Sequence, residues 1–383
     1  MRDKVVYILG AGFSMSSGAP SQGGLIAEIL KLKTTYNGPS RVKVKKWIKQ
    51  FEDFVSNGLC VSSDEIVNYA LEDIYTPIDR SIADNISFRN YTPKRLVDLR
   101  DSFNRLIILA VRNAIENNKK PKTSLEKFAR HIVKLGRERL IDEKADKVAV
   151  ITTNWDIMLD NHTQRIINEE PNPLGQDFSG VVDYCCYISS LDKDDESIKP
   201  GLYAIGKGRY NIKILKLHGS LNWMQCPKCQ RLYVKFFKHW SGGYIFAKKY
   251  CRHCENNFSS VKSDASILIT NLIMPTFLKN LSNVQNKLIW QNAGIELSEA
   301  SKIVFMGYSL PQADFEFKQL LSRMIPADTI IEAVLRESEN PLKKETLKEK
   351  QQTAGYRYEN FFSGRNIKVH YNGVEDYIDT NCT

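Results

Sequence analysis

No run of about 18 apolar residues occurs in this 383-residue sequence, so no membrane-spanning helix is expected. Cysteine is sparse for the length, at 8 residues, which is not the density of a disulfide framework. The expected compartment is therefore the reducing cytoplasm. A secretory leader is not expected either. The opening MRDKVVYILGAGF imitates one, but Asp3 sits in what would be its basic region and the apolar run stops at Gly10. No Lys-Ser/Thr pair stands at P-loop spacing in the N-terminal glycine loop, which excludes a P-loop, and the glycine spacing is not G-x-G-x-x-G. Internal repeats are absent. Hydrophobic residues make up 42% and charged residues 26%, a balance that excludes wholesale disorder and leaves material for two or three domains.

What is present in excess is positive charge: 54 Lys and Arg against 44 Asp and Glu, a net +10. That balance favours an acidic partner, whether nucleotide, nucleic acid or acidic protein. The charge falls in two acid-free clusters, Lys31, Lys33, Arg41, Lys43, Lys45, Lys46 and Lys49, and Lys228, Arg231, Lys235, Lys238, Lys248, Lys249 and Arg252. Each reads as a solvated face or a docking surface. Tyr233, Phe236, Phe237 and Trp240 interleave the second cluster, which suits nucleic acid and equally the small core of a zinc module.

Short β-rich runs predict strands at Val5–Leu9, Val148–Thr152, Ile212–Leu217, Ser266–Ile273, Lys302–Gly307, Thr329–Leu335 and Ile367–Tyr371. Several are continuously apolar, as in a parallel sheet covered on both faces. Between the first two runs the pattern is helical. Thr92-Pro93 supplies an N-cap followed by proline at the first helical position, and a second helix is predicted from Ser124 to a stop at Gly136. Residues 338–355 are polar and read as an exposed helix. The fold class is α/β: a mostly parallel sheet, with the helices and loops from about 25 to 145 read as a helical insertion or as crossover helices.

Five motifs carry chemistry. Gly10-Ala11-Gly12-Phe13-Ser14 follows an apolar strand, with Gly18 and a helix behind it, an arrangement suited to an anion. Thr153-Asn154-Trp155-Asp156 follows the second strong strand, and His218-Gly219-Ser220 follows the third. In open α/β sheets, ligands sit at these carboxyl ends, and histidine is the usual general base. Of the other histidines, His131 lies in a helical stretch, His162 and His239 in polar stretches, and His370 in the last strand. Cys226-x2-Cys229 and Cys251-x2-Cys254 form two knuckles of a closed, structural four-thiolate zinc site, with His253 as a bystander. The fifth motif, Gly307-Tyr308-Ser309-Leu310-Pro311 followed by Asp314, suits a ribose or phosphate.

Taken in order, these motifs resemble the sirtuin superfamily. The resemblance implies a Rossmann-like NAD domain over 1–30, 146–221 and 263–383, a helical insertion over 31–145 and a zinc-ribbon module over 222–262. It implies Ala11, Gly12, Phe13 and Ser14 at the NAD phosphates, and Asn154 with Thr153 and Asp156 around the nicotinamide ribose and carboxamide. It further implies His218 as general base, and Gly307 and Ser309 near the adenosine ribose. The sequence also departs from protein-deacylating sirtuins. Gly18-Ala19-Pro20-Ser21-Gln22-Gly23-Gly24 stands where they carry Asp-Phe-Arg, and Ile273-Met274-Pro275-Thr276-Phe277 where they carry the peptide-pairing Phe-Gly-Glu. Those departures resemble the divergent sirtuin-like NADases of bacterial antiphage defence, in particular the subunit that assembles with a HerA/FtsK-type ATPase. The expected activity is NAD glycohydrolysis, gated by self-assembly or a partner, with nucleic acid a further candidate partner and no membrane. The rival readings are an NAD-dependent deacylase or ADP-ribosyltransferase, and a non-catalytic NAD or ADP-ribose sensor.

Overall fold

The computed structural model describes residues 3–38, 40–118, 122–169, 179–193, 198–236, 246, 248–258, 266–277 and 279–382. Among them, eleven strands form two sheets. The strands are β1 (Lys4–Leu9), β2 (Val148–Thr152), β3 (Gly180–Asp183), β4 (Ile188–Ser190), β5 (Tyr210–Lys216), β6 (Gly219–Gln225), β7 (Leu232–Val234), β8 (Ile269–Leu272), β9 (Ala300–Met306), β10 (Ile330–Val334) and β11 (Ile367–His370). The larger sheet has the order β11-β10-β9-β1-β2-β5-β3, and every pairing in it is parallel. Every residue of β2 is buried, which requires cover on both faces. The helix Thr123–Arg137 packs on β2 and β5, and the helix Val284–Glu299 on β1, β5 and β9. The chain steps from β1 to β2 on one side and later returns through β9 on the other. That reversal opens a crevice at the carboxyl ends of β1 and β9.

Six of the seven expected strands belong to this sheet. The seventh, Ser266–Ile273, does not. It contributes β8 to a four-stranded sheet of order β4-β7-β6-β8, antiparallel to β6. Its place in the parallel sheet is taken by β3, a run of four residues too short to stand out from its periodicity. The expected stop at Gly136 is also corrected. The helix runs to Arg137 and continues as a 3₁₀ turn over Glu138–Leu140. Glycine is there because a β-carbon would meet Ile212 Cδ1 at 2.2 Å.

Helices Leu25–Thr35, Arg41–Asp53 and Leu71–Ala83 all pack against the long helix Pro93–Asn117. Thr92 caps that helix by accepting from the Arg95 N–H at 3.4 Å. Its Phe103 ring meets Phe51 and Tyr75 edge-on. The stretch 338–355 holds 3₁₀ turns and the helix Leu347–Gln352, whose Thr346 and Glu349 form a capping box. No described helix is long and apolar enough to cross a membrane.

Candidate active site

A cleft of about 730 Å³ lies along the carboxyl ends of β1, β2, β5, β9 and β10, within the size range of small-molecule sites. Ala11, Gly12, Ser14, Thr153, Asn154, Asp156, His218, Gly307 and Ser309 all line it. Phe13 is the exception among the expected ligand-binding residues. Its side chain turns into the core and packs edge-on against Phe128, 5.2 Å between centroids. An aromatic ring gains more from burial than from facing a polar cleft.

The polar groups are wired together. The Asn154 amide nitrogen donates to the Gly10 carbonyl at 2.8 Å and to Ser14 Oγ at 3.2 Å. Both N–H bonds are thereby engaged, so the group left for a ligand is the amide oxygen. Ser14 in turn bonds the buried Asp156 carboxylate, which also accepts from the Met158 N–H at 3.1 Å. Burial pushes the Asp156 carboxyl above its usual range, against the opposing pull of Lys216 and Ser14. Behind it, Lys216 donates to the Asp156 carbonyl at 2.5 Å and to Asp160 at 3.2 Å, and Tyr184 donates to Asp160 at 2.7 Å.

His218 sits in the two-residue link between β5 and β6, where the chain passes from one sheet to the other. The backbone there is pinned: Leu217 donates to Thr152 at 2.9 Å, and the His218 carbonyl accepts from Ile273 at 2.9 Å. The turn needs Gly219, with φ +74 and no space for a β-carbon, which would lie 2.2 Å from the Asn271 carbonyl. The imidazole is buried and hydrogen-bonds the Thr153 backbone. Burial lowers its pKa, more than the nearby Asp314 carboxylate raises it. The ring is therefore neutral at physiological pH, the form a general base requires.

Two residues beside His218 were given no role from sequence, Asp314 and Lys279. Asp314 Oδ1 lies 3.6 Å from His218 Nε2, while its other oxygen accepts from the Tyr308 hydroxyl at 2.8 Å. The fully buried Lys279 ammonium stands 3.2 Å from Asp314 Oδ1 and also donates to the Ala313 carbonyl at 2.5 Å. Asp314 stood in the fifth motif; Lys279 carried no local signal. Toward β10 the cleft continues along Arg336, Glu339, Asn372 and Glu375, which no motif marked. The remaining described histidines are engaged elsewhere: His131 with Tyr7, His162 with the Met158 carbonyl, His253 with Asn257, and His370 beside Glu332. His239 lies outside the described residues.

The sulfurs of Cys226, Cys229, Cys251 and Cys254 lie within 4.8 Å of one another. Two of their separations are 3.7 Å (Cys226 to Cys254) and 3.6 Å (Cys229 to Cys251). A tetrahedron with zinc–sulfur bonds of about 2.3 Å has edges of about 3.8 Å. The cluster thus fits a closed structural zinc ion, and none of the four cysteines lines the cleft. His253 is not part of it. A second acidic group, Asp146, Glu296 and Glu299, is filled by the ammonium groups of Lys4 and Lys213.

The basic clusters separate on the same ground. The helix Arg41–Asp53 buries Val44, Ile48 and Phe51 and exposes Arg41, Lys43, Lys45, Lys46 and Lys49. In the second cluster, Lys235 and Lys249 pair with Asp192, and Arg252 donates to the Ser190 and Leu191 carbonyls. Tyr233 is buried against Cys251 Sγ at 3.3 Å, so it serves the zinc module. Phe237, Lys238 and Trp240 lie outside the described residues.

No protein-family model matches the chain, and no curated protein matches it. Among solved structures it is similar to a Sir2 homologue mutant in complex with ADP-ribose, at 13% identity over 99% of this chain and 90% of that one, with a TM-score of 0.40. It is similar to a Sir2 enzyme structure at 10% identity over 99% and 90%, TM-score 0.38. It is also similar to Sir2Tm bound to a propionylated peptide, at 13% identity over 98% and 91%, TM-score 0.36.

Proposed function

We propose that the protein is an NAD glycohydrolase, which cleaves the nicotinamide–ribose bond to give nicotinamide and ADP-ribose. The observation that carries this reading is the meeting of Asn154, Asp156 and neutral His218 in one cleft that continues past Gly307 and Ser309. NAD enters as the substrate. Its leaving group departs from a cationic pyridinium, so no general acid is needed, and the transition state has oxocarbenium character. Asn154 orients the substrate through a ribose hydroxyl, which donates to its amide oxygen. His218 accepts the proton.

The reading favours water over an acyl-lysine peptide. The backbone N–H and carbonyl of Ile273 are already bonded, to the His218 carbonyl and to the Trp155 indole at 3.2 Å. The N–H is thus unavailable to an incoming strand, and one lone pair of the carbonyl is already taken.

An NADase free in the cytoplasm is toxic to its host, so we place it in abortive-infection antiphage defence, gated by self-assembly or by a HerA/FtsK-type ATPase. The exposed lysines of the helix Arg41–Asp53 offer the docking face, with DNA as the alternative occupant. The test is incubation with NAD and chromatography of nicotinamide and ADP-ribose, for the wild type and His218→Ala. Release that depends on His218 supports the reading; tight NAD binding without release would favour a sensor. A mass measurement showing only an active monomer would remove the assembly gate.

A further inference from the structure

We infer that Asp314 is a second catalytic residue of this cleft, holding the attacking water jointly with His218. The inference rests on the glycohydrolase reading and adds which atoms hold the nucleophile.

His218 Nε2 is buried without a hydrogen-bond partner, 3.6 Å from Asp314 Oδ1, and both residues line the cleft. The ring's hydrogen bond to the Thr153 backbone belongs to Nδ1. A carbonyl can only accept, so that nitrogen carries the proton and Nε2 presents a lone pair. Asp314 presents a second acceptor. Its Oδ2 is taken by the Tyr308 hydroxyl at 2.8 Å, and its Oδ1 faces Lys279 at 3.2 Å and keeps further acceptor capacity.

A separation of 3.6 Å exceeds a direct hydrogen bond, yet a single oxygen can stand about 2.8 Å from both atoms. Two acceptors converging on one oxygen require two protons on it. Water has two; a ribose hydroxyl has one. The pair is therefore matched to water and not to a sugar hydroxyl.

The step balances without another reagent. The C1′–N bond breaks and its electron pair leaves with nicotinamide. The water oxygen bonds C1′, one of its protons passes to His218 Nε2 or Asp314 and then to solvent, and the other stays on ADP-ribose. Lys279 balances the Asp314 charge, and Tyr308 fixes the orientation of the carboxylate.

The experiment compares hydrolysis with nicotinamide exchange. Exchange, the incorporation of labelled nicotinamide into NAD, needs bond cleavage but no water. For Asp314→Asn the expected result is a fall of about 10²-fold or more in hydrolytic kcat, with exchange and the affinity for NAD by titration retained. Asp314→Asn removes one of the two carboxylates that pair with the buried Lys279, leaving Glu316 at 3.2 Å, so Asp314→Asn/Lys279→Met, which removes the Asp314–Lys279 pair together, is measured alongside and is expected to show the same split. Wild-type hydrolysis in both variants, or equal loss of hydrolysis and exchange in variants that melt as the wild type does, would overturn the inference and leave the glycohydrolase reading standing. A wild type that binds NAD but performs neither reaction would overturn both.

Discussion

Gly12 donates its backbone N–H to the carbonyl of Gly307 at 2.9 Å, closing the loop after β1 onto the loop after β9. The contact has no space for side chains. A β-carbon on Gly12 would lie 2.8 Å from the Gly307 oxygen, and one on Gly307 would lie 2.3 Å from the Phe13 nitrogen. The amide that the glycine loop offers at Gly12 is thus spent within the protein. The glycines shape the crevice at the strand reversal, and side chains and neighbouring backbone line the cleft.

Gly307→Ala is accordingly expected to be among the most damaging small substitutions. Gly307 has φ +61, where an alanine costs about 1–3 kcal/mol in backbone strain before the clash is counted. Chemical denaturation should show a lower midpoint, and NAD titration a weaker complex. Wild-type values for both would show that the loops can separate at no cost.

His218→Ala and Asn154→Ala should each lower NAD turnover by about 10²- to 10⁴-fold while melting close to the wild type. The two losses should differ in kind. His218→Ala removes a proton acceptor and should change kcat. Asn154→Ala also removes the bonds to the Gly10 carbonyl and Ser14, and should raise KM as well. Wild-type turnover in either variant would remove that residue from the mechanism.

Removing the metal should act on the fold of the small module. A structural four-thiolate site contributes on the order of 10 kcal/mol to its module. Purified protein is expected to contain zinc by elemental analysis. Cys226→Ser and Cys251→Ser should lose it and aggregate or become sensitive to proteolysis around the second sheet. A zinc-free preparation that melts and turns over normally would refute a structural role.

Acid should destabilise the fold before it protonates ordinary carboxylates. Burial lowers the pKa of His131, His162 and His218, so the folded chain holds fewer protons at these rings than the unfolded chain. Stability then rises with pH. It is complete above the unfolded value of about 6.5 and is lost as pH falls through the window below it. Asp156 acts with the opposite sign. Its raised pKa makes the folded chain hold more protons there, a cost that grows as pH rises above about 3.9. The histidines dominate the upper window, and the melting temperature should fall from roughly pH 7 to pH 5. Turnover should persist below about pH 6.5, because His218 stays neutral there. A melting temperature that is flat or rises on acidification, or an acid limb at the ordinary histidine value, would contradict these assignments.

Much of this molecule was legible as a string. Val148–Thr152 reads as a buried strand because five consecutive residues with apolar or β-branched side chains have no other economical place. The polar residues that end β1, β2, β5 and β9 were visible as the points where those runs stop, and the cysteine spacing announced its tetrahedron. These are local properties, set by backbone propensity and by the reach of a few residues. β3 was not legible, because four residues carry too little periodicity, and neither was the sheet that Ser266–Ile273 joins, because an apolar run does not name its neighbour.

What the sequence by itself determined, then, is which residues stand at strand ends and which sulfurs can share a metal. Only the tertiary structure decided which of those ends face one another. It turned Phe13 into the core, spent the Gly12 amide on Gly307, and brought Asp314 and Lys279 beside His218. The reason is physical. Strand order and the close approach of backbones are settled by burying the whole core at once, and no window of local sequence contains that sum.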